Sequence, residues 1–541
     1  MTGDRVDTTA DATDLETSRW GREVTQGTVA GHPSLVYARR PRSVAELLVD
    51  ARRWRDRTAV VEGLRRLSFH EFEQAVARVS RKLATDGVKA GDRVVLLGYN
   101  SLEWIAAFWA LQALGAVAVL GNAWWSDDET AAAIALIEPA ALITDRSGER
   151  ASAGSFRSIA LASLREIVDA SHEVVALEVA AVDEDQPAII MFSSGTTGAA
   201  KGVVISHRSS VANIHNLLVL TGRLPDEIDA DRPGTVSLLT VPLFHLAGVQ
   251  ISFSTLLSGG TLVLLEGRFD PEAVLRLSER EKVRAWGSIP TMVSRVVYHE
   301  RFADFDTSSL KSIPIGGAAT SPDLRAKVAA AFPSVSRKVG SLYGLTEAGG
   351  VLAAGSGPEL QGRPQCVGRP LPVVEVRIGD ADASGVGEIM ARTPTMTSGY
   401  WRDPTPIVDA EGWLKTGDLG RIDADGLLYV TGRSKDIIIR GGENIASQHV
   451  EHRLLEHPDV LEVAVVALPH ADLGEEVAAA VVLKPSSTLN AGALRLFAAE
   501  HLGKFEVPTR WWFRTERLPV NASGKIIKRD VVSDWKDAPC T

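Results

Sequence analysis

The run "PAIIMFSSGTTGAAKGVVIS", residues 187–206, decides how this chain is read. It opens as a buried strand, passes through glycines, hydroxyls and one lysine, and resumes as a second strand-like run, "GVVIS". Consecutive small residues let backbone N–H groups turn toward an anion, and Lys201 adds a charge. The pattern is not the G-x-x-x-x-G-K-[ST] loop, because Ala200 precedes the lysine and Gly202 follows it. That loop leads into a helix whose N-terminus faces the phosphate. Here the next helix starts only around Ser206–Arg208. The segment therefore reads as a loop between two strands, either a clamp on phosphate or a plain hairpin.

Outward from this loop, short apolar strands alternate with helical stretches. "SFHEFEQAVARVSRKLATDG" predicts a helix in which Ser68 and Glu71 form a capping box and Gly87 closes the end. Phe72, Ala75, Val76, Val79 and Leu83 fall on its one apolar face. "DRVVLLGYN", "EPAALITD", "TVSLLTVPL", "GTLVLLE", "VRAWGSIP" and "LKSIPIGG" predict strands. The fold class is α/β, a large N-terminal domain of mixed or largely parallel sheets flanked by helices. After about residue 365, "VVEVRIG", "GEIMART", "GWLKTGDLGRI" and "GLLYVTGR" predict a small antiparallel or barrel-like β subdomain. Past a boundary near Arg433–Asp436, a helix and two strands predict a small α+β C-terminal domain. The expected division is a flexible leader over 1–35, the large domain over 36–434 and the mobile small domain over 435–541.

Composition excludes several classes. With 58 basic against 68 acidic side chains the net charge is −10, which gives no electrostatic case for nucleic acid. The two cysteines, Cys366 and Cys540, are too few and too far apart for a disulfide framework, so a cytoplasmic protein is expected. The first 35 residues are polar and carry no secretory signal core. Residues 104–125, "WIAAFWALQALGAVAVLGNAWW", hold no charge and are long enough to span a bilayer. Gly115, Gly121 and Asn122, with β-branched residues only in the second half, favour a buried helix followed by a buried strand. No transmembrane segment is expected.

Several motifs together carry a resemblance that no one of them would. "SSGTTGAAKG" resembles the phosphate loop of the adenylate-forming superfamily, which includes acyl- and aryl-CoA synthetases, peptide-synthetase adenylation domains and beetle luciferases. "VPLFHLAG" (241–248), "IGGAAT" (315–320), "YGLTEAG" (343–349), "GYWRDP" (399–404), "TGDLGRIDADGLLYVTGRSKDIIIRGGENI" (416–445) and "LPVNASGKIIKRD" (518–530) follow in the family's order. The resemblance covers roughly residues 45–532.

The resemblance implies roles. Ser193, Ser194, Gly195, Thr196, Thr197, Gly198 and Lys201 would hold the β- and γ-phosphates of ATP. Thr346 would contact the α-phosphate, and Glu347 would bind Mg²⁺ as a hard oxygen ligand. Adenine would lie between Tyr343 and the backbone at Gly317-Ala318, with Leu342 and Gly344 beside it. Asp418, with Arg433 near it, would take the ribose hydroxyls. Lys525 would bridge the reacting anions, and Lys435 would be the hinge of the small domain. His245, Gly248, Gly316 and Gly340 would border the acyl pocket. Gly441 and Gly442 would line a tunnel for the pantetheine arm of coenzyme A.

The implied enzyme is an AMP-forming acyl-CoA synthetase for a fatty or aryl acid, using ATP, Mg²⁺ and coenzyme A. A homodimer is compatible with it. Two alternatives stand beside it: an adenylating enzyme with another acceptor (a carrier-protein thiol, an amine, or an inorganic oxyanion such as nitrite), and a catalytically silent nucleotide-binding homologue. No fused carrier domain is expected after Lys525. The chain departs from the family at Ala200, where proline is usual, and at Ser341-Leu342, which bears on the acyl pocket.

Overall fold

Strand Pro187–Phe192 lies inside a seven-stranded sheet, which explains its uninterrupted apolar sequence. The computed structural model describes residues 19–146, 156–170, 173–192, 201–316, 322–335, 339–363, 365–441, 443–485, 487–521 and 524–535. In it this strand pairs in parallel with Val117–Gly121 and antiparallel with Gly202–Ser206. Arg93–Leu97, Ala141–Thr144 and Arg157–Ala160 extend the parallel part. On the other edge, the two-residue strand Gly399–Tyr400 pairs with Gly202–Ser206. The loop between Phe192 and Lys201 lies outside the described residues, but the strands on either side of it are antiparallel neighbours, as the sequence predicts.

Residues 104–125 resolve as expected. Helix Leu102–Ala113 is buried at every position, an all-round apolar helix in the middle of a large core. Gly115 turns the chain with φ +69°, and Val117–Gly121 becomes an interior strand. No helix among the described residues is long and apolar enough to cross a membrane. Helix Phe69–Thr85 packs beside it. The Ser68 hydroxyl accepts from the Glu71 N–H at 3.2 Å, and the Glu71 carboxylate accepts from the Ser68 N–H at 2.8 Å. Such a cap contributes about 1 kcal/mol.

A second sheet, of five strands, runs from Ala285–Gly287 through Val236–Leu239, Thr261–Leu264 and Thr58–Glu62 to Arg65–Ser68. A third, of eight, begins at Ile313–Gly316 and Val339–Leu345 and ends at Glu375–Gly379. The antiparallel strands expected after residue 365 are present and join this sheet. Cys366–Pro370 pairs with Gly350–Ser356, so the later strands continue a sheet begun some fifty residues before. Residues 19–35, expected within a loose leader, are ordered. Val24–Val29 and His32–Tyr37 form a hairpin, and the buried Trp20 indole donates to Asp50 at 2.8 Å. After Arg433 a further sheet is built on the hairpin Ile437–Arg440/Glu443–Ala446 and on Val460–His470 with Gly474–Leu483, around its own apolar core.

Two histidines stiffen the first helix layer. His215 stacks on Tyr37 at 3.7 Å, and its Nε2 lies 2.7 Å from the Gly21 carbonyl, so the neutral ring donates there. His207 Nδ1 accepts from the Val44 N–H at 3.2 Å. Burial pushes both rings down to about 4. An unfolded histidine titrates near 6.5, so between these values the unfolded chain binds more protons and stability falls as pH falls. The urea midpoint is expected to drop between pH 7 and pH 5, and to drop less in His215→Gln, which keeps a donor for Gly21. Equal pH dependence in the two proteins would refute this assignment.

Candidate active site

One continuous cleft of about 2720 Å³ runs between the large and small domains. A pocket for one small ligand measures about 300–1,000 Å³, so this cleft has room for several. Its walls include Lys201, His245, Thr346, Glu347, Arg433 and Lys525, drawn from positions 201 to 525 of the sequence.

Lys525 reaches the cleft on a tight turn. The Asn521 side chain accepts from the Lys525 N–H at 2.9 Å, and the Asn521 N–H donates to the Lys525 carbonyl at 2.8 Å. Gly524 holds φ +72°, and a β-carbon there would come 2.1 Å from Ile289 Cδ1. Its carbonyl accepts from the Thr291 hydroxyl at 3.0 Å. Only glycine suits this place, where the small domain touches the start of helix Pro290–Val297. Lys525 is close enough to His245 to help lower its pKa. Burial first, then that charge, pushes the imidazole down to about 4, so His245 is neutral at physiological pH. Its Nε2 is buried without a hydrogen-bond partner.

Thr346 and Glu347 sit on the short connection between strands Val339–Leu345 and Gly350–Ser356 and face the cleft. The Glu347 carboxylate accepts from the Tyr400 hydroxyl at 3.3 Å, and its carbonyl accepts from the Thr397 N–H at 3.0 Å. Lys201 Nζ is 2.9 Å from Asp403 Oδ2 and 4.6 Å from the centre of the Tyr400 ring. Tyr400 and Asp403 lay within a family motif, but sequence spacing gave no sign that they would join Lys201 to Glu347. Among the described residues no three His, Cys, Asp or Glu side chains cluster as a metal cage. A single cleft carboxylate fits Mg²⁺, which keeps waters and takes its other ligands from phosphate.

Gly316 and Gly340 line the cleft as expected. Gly248 does not. A β-carbon there would lie 2.2 Å from the Pro242 carbonyl, so this glycine admits a close backbone approach at the start of helix Leu246–Leu257. Tyr343 also differs from expectation. Gly340, Leu342 and Gly344 alternate toward the cleft, and Tyr343 turns into the core of the sheet behind it. Its hydroxyl donates to Asp418 Oδ2 at 2.8 Å, and Arg433 Nε donates to Asp418 Oδ1 at 3.0 Å. Burial, then the Asp418 charge, pushes the Tyr343 hydroxyl well above its usual range. Asp418 is itself buried, with Thr416, Gly417 and Arg433 forming the adjacent cleft wall. Each carboxylate oxygen retains a second lone pair, but Asp418 itself is not among the residues that line the cleft.

Lys435 falls in the short turn Ser434–Asp436 that joins the two domains. Gly441 stands at the tip of the following hairpin with φ +59°, its N–H donating to the Leu473 carbonyl at 2.9 Å, and does not line the cleft. Ser193, Ser194, Gly195, Thr196, Thr197, Gly198, Gly317, Ala318 and Gly442 lie outside the described residues.

Comparison with known proteins identifies the family. The AMP-binding enzyme family matches residues 47–401, and the AMP-binding enzyme C-terminal domain matches residues 449–525. A feruloyl-CoA synthase from an Amycolatopsis species is 33% identical over 485 residues, covering 88% of this chain and 95% of that one. An o-succinylbenzoate coenzyme A synthetase from Bacillus subtilis, solved with ATP and magnesium ion, superposes with a TM-score of 0.77 at 28% identity, covering 90% of this chain and 99% of that one. The same Bacillus protein is also solved with its acyl-adenylate intermediate. The amide bond synthetase McbA from Marinactinospora thermotolerans superposes with a TM-score of 0.77 at 33% identity, covering 90% and 99%. The chain belongs to the AMP-binding enzyme family and is an AMP-forming acyl-CoA synthetase, working with ATP, magnesium and coenzyme A.

Proposed function

We propose that this ligase activates a compact aromatic acid carrying a neutral oxygen substituent. The observation that carries this reading is the chemistry of the acyl wall. Gln250 Nε2 and Ser254 Oγ on helix Leu246–Leu257, and Ser288 Oγ beyond strand Ala285–Gly287, are buried, unpartnered and on residues that line the cleft. A buried polar group left unpaired costs about 1–3 kcal/mol, so such a wall favours an acid that supplies the missing partner. No residue of this helix or of strands Ala285–Gly287, Ile313–Gly316 and Val339–Leu345 is cationic. A second carboxylate would find no counter-charge there. Gly316 and Gly340 line the cleft from adjacent strands, and Ile251 packs over Gly287 beside them, a smooth wall that suits a flat ring better than a coiled chain. The likeness to a feruloyl-CoA synthase supports the aromatic reading.

In the first step a carboxylate oxygen of the acid attacks the α-phosphorus of ATP. The new O–P bond forms as the bridge to the β-phosphate breaks, and pyrophosphate leaves. Both reactants are anions, so the site must cancel charge and hold them in line. Lys525 supplies a cation from the small domain, Thr346 a hydroxyl donor, and Lys201 a cation at the departing phosphates. Glu347 would hold magnesium, which would supply charge to offset the phosphates. Asp418 and Arg433 hold the ribose side. Neutral His245 borders the acid and adds no charge to repel Lys525. In the second step the small domain turns at Lys435, withdrawing Lys525 and bringing Gly441 and Gly442 to the site for the thiol. The same reading places the enzyme in the cytoplasm, with a homodimer as the assembly to test by light scattering.

Pyrophosphate release measured over a panel should favour hydroxylated or methoxylated aromatic acids over a saturated twelve-carbon acid and over dicarboxylates. Gln250→Leu is expected to lower kcat/KM for the oxygenated acid by about tenfold and to affect the unsubstituted ring less. Preference for the long chain or the diacid would overturn the aromatic reading. The likeness to an amide bond synthetase makes amines a necessary second acceptor in the assay. AMP release with an amine and none with coenzyme A would change the acceptor.

Lys525→Ala should slow adenylation by about 10²–10³-fold and leave thioester formation from a preformed acyl-adenylate largely intact. Gly524→Ala should imitate it, because the turn can no longer seat against Ile289 and Thr291. Equal loss of both half-reactions would contradict the alternating use of the small domain.

A further inference from the structure

The segment 397–403 ties together two charged groups that the sequence places 146 positions apart, Lys201 and Glu347. Its backbone is anchored on both sides. The Ser398 N–H donates to the Val204 carbonyl at 2.9 Å, and the Trp401 N–H donates to the Gly202 carbonyl at 2.7 Å, so the segment continues the sheet beyond Lys201. The Thr397 N–H donates to the Glu347 carbonyl at 3.0 Å, which fixes the same segment to the turn carrying that carboxylate. Tyr400 lies at the centre. Its hydroxyl is 3.3 Å from Glu347 Oε1, and its ring face is 4.6 Å from Lys201 Nζ. Asp403 takes the other side of the ammonium at 2.9 Å, while its second oxygen accepts from the Thr405 N–H at 3.0 Å and so cannot swing away freely.

We propose that Tyr400 is a positioning residue for the phosphate site, setting the Glu347 carboxylate with its hydroxyl and the Lys201 ammonium with its ring. The two functions belong to different parts of one side chain and are therefore separable. The hydroxyl donates to one carboxylate oxygen and leaves the other to face a divalent cation. It also stops the carboxylate from rotating toward Lys201, whose charge would otherwise compete with the cation. The ring attracts the ammonium through its electron-rich face without neutralising it, so the lysine is held extended yet remains a full cation for a phosphate. Asp403 serves as its counter-ion until a more highly charged phosphate replaces it. The inference rests on the proposed roles of Glu347 and Lys201, and extends them to a residue with neither role.

The test uses the full chain and measures binding of ATP by calorimetry across a series of free Mg²⁺ concentrations, and binding of metal-free ATP with a chelator present. Tyr400→Phe keeps the ring and loses the hydroxyl. It should raise the Mg²⁺ concentration for half-maximal ATP affinity by about tenfold and leave metal-free ATP binding unchanged. Tyr400→Leu loses both and should also weaken metal-free ATP by about threefold to tenfold. Glu347→Gln checks the premise separately and should abolish the Mg²⁺ enhancement. If Glu347→Gln behaves so and Tyr400→Phe matches the wild type, the positioning role is wrong while the metal assignment stands. If Glu347→Gln retains the full enhancement, the premise and the inference fail together. Equal weakening of metal-free ATP by the Phe and Leu variants would show a merely structural role and overturn the proposal.

Discussion

The contact of the 521–525 turn with the start of helix Pro290–Val297 governs the rest of this structure. A hydroxyl–carbonyl bond from Thr291 to Gly524 and a left-handed glycine with no room for a methyl group fix where Lys525 stands. At that point the small domain brings Lys525 into a cleft that both domains wall. The cleft exists as a single space because both domains wall it, and His245 is neutral partly because Lys525 is beside it. A cation delivered by a separate body can be withdrawn as a unit, which a cation on the large domain's sheets could not be. Among the described residues the contact includes one hydrogen bond and a glycine whose missing β-carbon leaves room for Ile289.

The charge layout follows from bringing two anions together. Among the positive groups that wall the cleft, Lys201 stands at a strand edge, Lys525 on a turn and Arg433 against Asp418. Each is held by a neighbour that leaves its charge usable. Lys201 rests on a ring and one carboxylate, Arg433 is satisfied at Nε by Asp418, and Glu347 shares one oxygen with a phenol. Preorganised groups of this kind do not have to reorient as charge shifts during the reaction.

Much of the fold was legible because it is local. The capping box at Ser68, the apolar face through Leu83 and the glycine stops follow from short-range rules, and the structure reproduces them. The alternation of short strands and helices gave the α/β class for the same reason. What the sequence hid depends on distant pairing. Tyr343 was expected beside a base, but the face of its strand was chosen by antiparallel pairing with Gly350–Ser356, where the register shifts between Tyr343 and Gly344. Gly248 looked like a pocket glycine, and its reason is the Pro242 carbonyl. The hairpin at 24–37 reads as a polar leader until Trp20 finds Asp50. Tyr400 became visible only when a two-residue strand joined Gly202–Ser206 across the sequence.

Helix Leu102–Ala113 carries a consequence for synthesis of the chain. It has no polar face, and one of its few polar groups, the Gln112 amide, donates to the Ala188 carbonyl at 3.1 Å, 76 residues further on. Part of the helix surface and one edge of the strand after it stay uncovered until strand Pro187–Phe192 has left the ribosome and joined the sheet. At about 5–20 residues per second, that interval lasts several seconds. During it the nascent chain presents an uncharged stretch of membrane-like length, a surface on which chaperone shielding would act.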